Sequence, residues 1–220
     1  VLEKVIPWIE AWEGLFMPSP RYCPLCQQKP VDIGLPGCWP CVSRLEIGWH
    51  RIPGDDLCFC IGPYQGQVKE RIVDFKFLNR MDIGWLLGSL MGIAAREEPL
   101  LQDIRAIVPI PLHPAREKQR GFNQTRILAD GISNWWKKPI LDLLVRPKET
   151  KPQVDLNRHQ RALNLANAFA MREGDRMRHQ EVLLIDDICT TGTTFAAAAS
   201  VVRRYGGKPT GLFVASGRIE

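Results

Sequence analysis

The segment Val182–Thr194, VLLIDDICTTGTT, constrains the fold more tightly than any other stretch of the chain. Val182-Leu183-Leu184-Ile185 is an uninterrupted apolar run, the pattern of a central parallel strand covered on both faces. The strand is expected to stop at Asp186-Asp187. Two adjacent carboxylates cannot both be buried without partners, because the desolvation cost is too high, so they must face solvent, a cation or hydroxyl groups. Cys189, Thr190, Thr191, Gly192, Thr193 and Thr194 follow. Small residues let backbone N–H groups converge on an anion, and the hydroxyls add donors. A helix over Thr193–Tyr205 aims the positive end of its dipole at the same place. The sequence therefore offers carboxylates for sugar hydroxyls and a donor-rich cup for a phosphate, at the strand ends where an open α/β sheet binds ligands. A Walker loop is excluded because no Lys is present, and the glycine pattern of a dinucleotide fingerprint is missing. An ordinary strand–turn–helix capped by threonine would explain the threonines but not the two aspartates.

The rest of the chain supplies a setting for that loop. Strands are expected at Leu57–Tyr64, Ile104–Ile110, Ile140–Val145, Glu181–Ile185 and Thr210–Ser216. Helical periodicity marks Gln67–Leu78, Ile83–Arg96 and Asn123–Trp136, the last with Asn123 as N-cap. His113–Gly121 reads as a basic loop or short helix. Lys148–Gln153 reads as a polar connection and Asp155–Ala166 as helical or turn-rich. Strands alternating with helices argue for an α/β domain with a mainly parallel central sheet. Residues 1–20 read as an amphipathic helix ended by Pro18 and Pro20 rather than as a signal peptide. Residues 21–55 are rich in Cys, Pro and Gly and need a staple, which leaves 56–220 as the α/β domain. With 220 residues a full core is attainable. No apolar run approaches the roughly 20 residues of a membrane span. The net charge of +5 suits a phosphate-bearing ligand or a nucleic acid without requiring either.

A second chemical signal lies in Val108–Gln124. The run Val108-Pro109-Ile110-Pro111 leaves a buried strand and turns, and Arg116, Lys118 and Arg120 follow before Gly121-Phe122-Asn123-Gln124. Cations opposite a phosphate cup could cover a pyrophosphate leaving group, where charge develops in the transition state. A solvated basic face accounts for the same charges.

These motifs together carry a resemblance. An apolar strand, two acids and a Thr/Gly-rich loop resemble the 5-phosphoribosyl-1-pyrophosphate (PRPP) motif of type I phosphoribosyltransferases. PIPLHP…RGFNQ, then KPQVDLNRHQRALNLANAF with Arg161 and Asn164, then IDDICTTGTT, resemble the ComF/GntX group from about Cys23 onward. The resemblance implies a type I phosphoribosyltransferase-like fold. It implies Asp186 and Asp187 on the ribose hydroxyls, and Thr190, Thr191, Gly192, Thr193 and Thr194 on the 5′-phosphate, with Mg²⁺ accompanying the pyrophosphate. Lys76, Arg116, Lys118, Arg120 and Arg161 become candidates for the pyrophosphate or for DNA. It further implies a link to natural competence and DNA uptake, contact with single-stranded DNA, a cytoplasmic location, and partners such as a helicase or DNA-processing protein. Composition and spacing show none of this.

The cysteines are distributed unevenly. Six of seven fall between Cys23 and Cys60, in a chain without a secretion signal, which favours metal over disulfides. Cys23-x-x-Cys26 and Cys38-x-x-Cys41 are two pairs able to close a tetrahedron, the pattern of a structural Zn²⁺ site, and the family resemblance includes such a finger. An iron–sulfur site or a redox pair remains open on the same ligands. Cys58 and Cys60 read as small core residues, and Cys189, near a helix N-terminus, as a thiol with some thiolate character. The seven tryptophans read as packing residues before base-stacking ones. Two functions are compatible with these signals: phosphoribosyl transfer, and a single-stranded-DNA accessory in which PRPP binding is regulatory or vestigial.

Overall fold

The computed structural model describes residues 22–147, 168–172 and 180–219. Expectations for residues 1–20, Lys148–Gln153, Asp155–Ala166 and Arg161 lie outside the described residues. The chain divides into two compact units, residues 1–44 and 45–220. The first contains the single-turn helix α1 (Trp39–Val42).

In the second unit the strands are β1 (His50–Arg51), β2 (Cys58–Cys60), β3 (Ala106–Pro109), β4 (Leu144–Val145), β5 (Ala170–Met171), β6 (Glu181–Cys189) and β7 (Lys208–Ser216). Its helices among the described residues are α2 (Gly66–Phe77), α3 (Met81–Glu97), α4 (Pro114–Arg120), α5 (Gln124–Trp136) and α6 (Thr193–Arg204). Five strands form one sheet in the order β1-β2-β7-β6-β3. Only β1 runs antiparallel to its neighbour. Strands β4 and β5 pair separately as an antiparallel ribbon. The expected α/β class with a mainly parallel sheet is therefore the observed one. None of the described helices is long and apolar enough to cross a membrane.

Two expectations about strands need correction. The run Ile140–Val145 is not one strand. Ile140 makes a single parallel bridge to Ile107, and the chain then leaves the sheet to form β4. Asp142 interrupts the apolar run, and its carboxylate is engaged by Arg126 at 2.8 Å. Strand β6 does not stop at the aspartates either. Its pairing with β7 continues to Cys189↔Ser216, whereas its pairing with β3 ends at Ile185↔Pro109.

Side chains alternate across a strand, so each core strand serves two layers. Ala106, Val108, Val182, Leu184 and Phe213 join one buried cluster with Phe195, Ala198 and Val202 of α6 and with Leu144 and Met171 of the ribbon. Ile107, Leu183, Ile185 and Leu212 are equally buried but lie outside that cluster. They point to the other face, where α3 and α5 pack on the sheet.

Helices α3 and α5 cross at backbone contact. A β-carbon on Gly88 would stand 2.3 Å from the Leu128 carbonyl oxygen, and one on Gly131 would stand 2.6 Å from that of Trp85. Gly88 and Gly92, four residues apart on α3, allow this approach, the latter against the Ile132 backbone, whereas Gly84 makes room for the Phe75 ring of α2.

The topology sets the position of the site. The chain leaving β3 passes through α4 and α5 and returns at Pro139–Leu141 on the outer side of β3, where Ile107 N–H donates to the Pro139 carbonyl at 2.9 Å. The chain leaving β6 passes through α6 to β7 on the opposite side. Connections from adjacent strands thus diverge, and a crevice opens beyond their carboxyl ends. Asp186 and Asp187 occupy the point where β6 loses β3 as its neighbour.

Candidate functional site

Strand periodicity resolves how two adjacent acids coexist. Asp187 shares the parity of Leu183 and Ile185 and projects toward the α3/α5 face. There it is almost fully buried and pairs with Lys76 Nζ at 2.8 Å. Gln124 Nε2 donates to the same carboxylate at 3.0 Å, and Gln124 Oε1 accepts from Arg120 at 2.5 Å. Asp186 has the opposite parity. Its Oδ1 accepts from the Asp187 backbone N–H at 2.8 Å, and burial together with the Asp187 charge pushes its carboxyl up to about 7. Arg146, on the ribbon side, adds positive charge near Asp186.

Two adjoining clefts share this acidic ridge. One, of about 310 Å³, is the cup formed by Thr190, Thr191, Gly192, Thr193 and Thr194, with Lys76 and Tyr64 at its edge. Gly192 is left-handed at φ +78° and caps α6, so no side chain crowds the cup and the first-turn N–H groups open toward it. Thr191 and Thr193 hydroxyls bond each other at 2.6 Å. The other cleft, of about 660 Å³, is lined by Lys76, Arg116, Arg120 and Arg146 beside the same aspartates. Among the described residues four cations face two carboxylates there, a surplus suited to an anion.

Local sequence explains how the cations arrive. His113 Nδ1 accepts from Ala115 N–H at 3.2 Å, and Pro114 opens α4, which carries Arg116 and Arg120 to the cleft. Gly121, at φ +84°, ends α4, and Asn123 caps α5 by accepting from Thr125 N–H at 3.2 Å. Thr125 Oγ1 then donates to the Ile110 carbonyl at 2.7 Å and ties α5 to the end of β3. Lys76 comes from the last turn of α2.

The structure brings Lys76, Arg116 and Arg120 together with the aspartates. Lys118 is exposed on α4 and does not line the cleft. Arg146 was missed, since it belongs to no local motif; Gln124 stands in the RGFNQ run, but its contact with Asp187 was not legible there. Cys189 is corrected: it ends β6, buried, and desolvation raises its thiol rather than favouring a thiolate. Burial likewise pushes Cys58 up to about 12 and Cys60 up to about 11, as core thiols should behave.

A second candidate site lies in the first unit. The sulfurs of Cys23, Cys26, Cys38 and Cys41 all lie within 4.8 Å of one another. Cys26 and Cys38 sulfurs are 3.8 Å apart, the edge of a tetrahedron with zinc–sulfur bonds of about 2.3 Å. Backbone N–H groups of Gln28 and Lys29 lower the Cys26 thiol to about 6, whereas burial pushes Cys41 up to about 12. Four thiolates in this space require a cation, and the set fits a structural zinc with no open position.

Comparison with known proteins places the chain. No protein-family model matches it. It is 31% identical over 196 residues to competence protein F of Haemophilus influenzae, covering 84% of this chain and 85% of that protein. The chain belongs to the ComF/GntX family. Other family members include the DNA utilization protein YhgH of Escherichia coli, 30% identical over 84% of this chain and 78% of its own length. Competence protein ComFC of Bacillus subtilis is 27% identical over 89% of this chain and 84% of its own. Among solved structures, adenine phosphoribosyltransferase from Leishmania tarentolae aligns at a TM-score of 0.45 and 10% identity, over 77% of this chain and 94% of the enzyme.

Proposed function

We propose that this ComF/GntX protein binds PRPP with Mg²⁺. Asp186 and Asp187 would hold the ribose hydroxyls, Thr190, Thr191, Gly192, Thr193 and Thr194 the 5′-phosphate, and Lys76, Arg116, Arg120 and Arg146 the pyrophosphate. The observation that carries this reading is the shared acidic ridge between a donor-rich cup and a cationic cleft. A sugar bearing a phosphate at one end and a pyrophosphate at the other matches that order of charge. Mg²⁺ prefers oxygen ligands and keeps substrate phosphates among them, and the Asp186 carboxylate fits that preference. The ion would neutralise pyrophosphate charge.

Turnover would be attack of an acceptor nitrogen on C1 of the ribose as the bond to pyrophosphate breaks. Such a site works by positioning and by cations that meet the charge growing on the leaving group. Calorimetry with PRPP and Mg²⁺ on the wild type and on Asp186→Asn/Asp187→Asn tests the binding. Equal affinity in the two proteins would remove the aspartates from the site. Pyrophosphate release across a panel of nitrogenous bases tests turnover.

A second reading, contact with single-stranded DNA during its uptake or use, is favoured by one surface. Val73, Phe77, Leu78 and Met81 are exposed together around the end of α2, with Phe77 at 68%. Phe77 lines the cationic cleft, and Arg120 sits 5.8 Å from its ring centroid. Apolar platforms for bases beside arginines for phosphates are what unpaired strands require. Titration of labelled single strands at several salt concentrations tests it, and absence of binding at low salt excludes it.

A further inference from the structure

Among the described residues, the loop that would take the 5′-phosphate carries no cation of its own. No Lys or Arg occurs between Asp186 and Thr194. Lys76, at the edge of the cup, is engaged with Asp187 at 2.8 Å. A phosphate monoester brings about 1.5 to 2 negative charges at neutral pH. In this cup it would lie beside two aspartates, and helix-end partial charge amounts to only about half a unit.

One cation approaches the loop from behind. Beyond β7 the chain stays fastened to the cup. Ser216 Oγ donates to the Cys189 carbonyl at 3.0 Å, and Arg218 N–H donates to Ser216 Oγ at 3.0 Å. The Arg218 guanidinium lies close enough to the Cys189 thiol to act on it electrostatically. Its Nη2 lies 3.7 Å from where a β-carbon would stand on Gly192. Arg218 lines a hollow of about 380 Å³ together with Cys189, Thr191, Gly192 and Thr193. Asp55 and Asp56 line its far side, but Asp56 is paired with Arg203, and among the described residues Arg218 forms no ion pair. Its side chain is exposed; it lines the neighbouring hollow rather than the cup, so meeting a ligand there would require it to turn toward the mouth of the cup.

We propose that Arg218 is the cationic arm of the phosphate cup, donating its guanidinium to a phosphate monoester seated on Thr190–Thr194. This rests on the PRPP reading of the loop and extends it to a residue outside the motif. The glycine at 192 then has a second use: a β-carbon there would already touch the guanidinium, and a longer side chain would crowd it.

Calorimetry with ribose 5-phosphate and with PRPP and Mg²⁺ on the wild type, Arg218→Gln and Arg218→Lys tests the assignment, with thermal melting of each protein. Arg218→Gln should weaken ribose 5-phosphate about tenfold, the scale of one lost charge-assisted hydrogen bond. Arg218→Lys should recover much of that loss, at an unchanged melting temperature. Wild-type affinity in Arg218→Gln overturns the proposal. So does an equal loss in both variants with a lowered melting temperature, which would make Arg218 only a clamp on Ser216 and Cys189. A wild type that binds neither compound overturns the cup reading and this proposal together, whereas wild-type binding without an Arg218 effect overturns only the latter.

Discussion

Asp186 and Asp187 are neighbours in sequence but face different layers, and their energetics differ accordingly. Asp187 is compensated by Lys76 and Gln124. Removing Lys76 leaves a buried charge without its partner. Lys76→Met should therefore cost about 2–4 kcal/mol, and Lys76→Met/Asp187→Asn should recover most of it, measured by urea denaturation. Asp186 behaves in the opposite sense. Its carboxyl is raised to about 7 in the folded protein, above the value near 4 of an unfolded aspartate. Between those values the folded state holds one more proton, so the contribution of Asp186 to stability declines as pH rises from about 4 to about 7. Asp186→Asn should match the wild type near pH 4 and exceed its stability by up to about 4 kcal/mol at pH 8. The same substitution should weaken PRPP with Mg²⁺, the trade expected where a site holds charge for a ligand. How far these residues were legible follows from their spacing. The acids, the threonines and α4's arginines announce themselves by clustering. Arg146 follows a short apolar run and Arg218 follows β7, and nothing local reveals that either reaches the site. Long-range placement decides them, and only the fold supplies it.

At the scale of elements, periodicity located α2, α3 and α5 to within about two residues because each buries one face or more. It failed where a partner rather than a pattern decides. Strand β6 runs on through two aspartates because β7 continues to pair with it as far as Ser216. Ile140–Val145 looks like one strand but is shared between an edge bridge and a ribbon. The glycines of α3 show the same dependence. In sequence they only weaken a helix, by about 1 kcal/mol each relative to alanine. In the fold Gly88 and Gly92 let two helices touch at the backbone. Gly88→Ala should therefore destabilise, by about 3 kcal/mol or more, because the nearest obstacle is the Leu128 backbone and cannot rotate away. Thermal melting of Gly88→Ala checks this. A rise in melting temperature, as propensity alone would give, would mean the crossing is looser than described.

At the scale of the whole molecule, two units of unlike construction share one chain. The α/β unit is held by a sheet covered on both faces, with Phe75, Leu86, Met91 and Phe213 among its fully buried side chains. In residues 22–44 the buried apolar side chains are few, chiefly Cys23, Cys38 and Val42. The backbone there turns back on its own cysteines: Gln27 N–H reaches the Cys23 carbonyl at 2.8 Å, and Cys41 and Val42 N–H both reach Cys38 at 3.0 Å. Such a segment cannot offset the entropy of ordering its backbone, about 1–2 kcal/mol per residue, by burial alone. A metal bound by four thiolates contributes on the order of 10 kcal/mol or more at neutral pH, and in small modules that binding energy is the folding energy. The protein should therefore carry one zinc per chain and be colourless, which metal analysis with native mass spectrometry decides against an iron–sulfur cluster. Cys38→Ser, or a strong chelator, should make the chain cleavable between residues 22 and 44 under limited proteolysis, with the α/β unit still resistant. A chelated protein that resists cleavage there would show that packing, not metal, orders the segment.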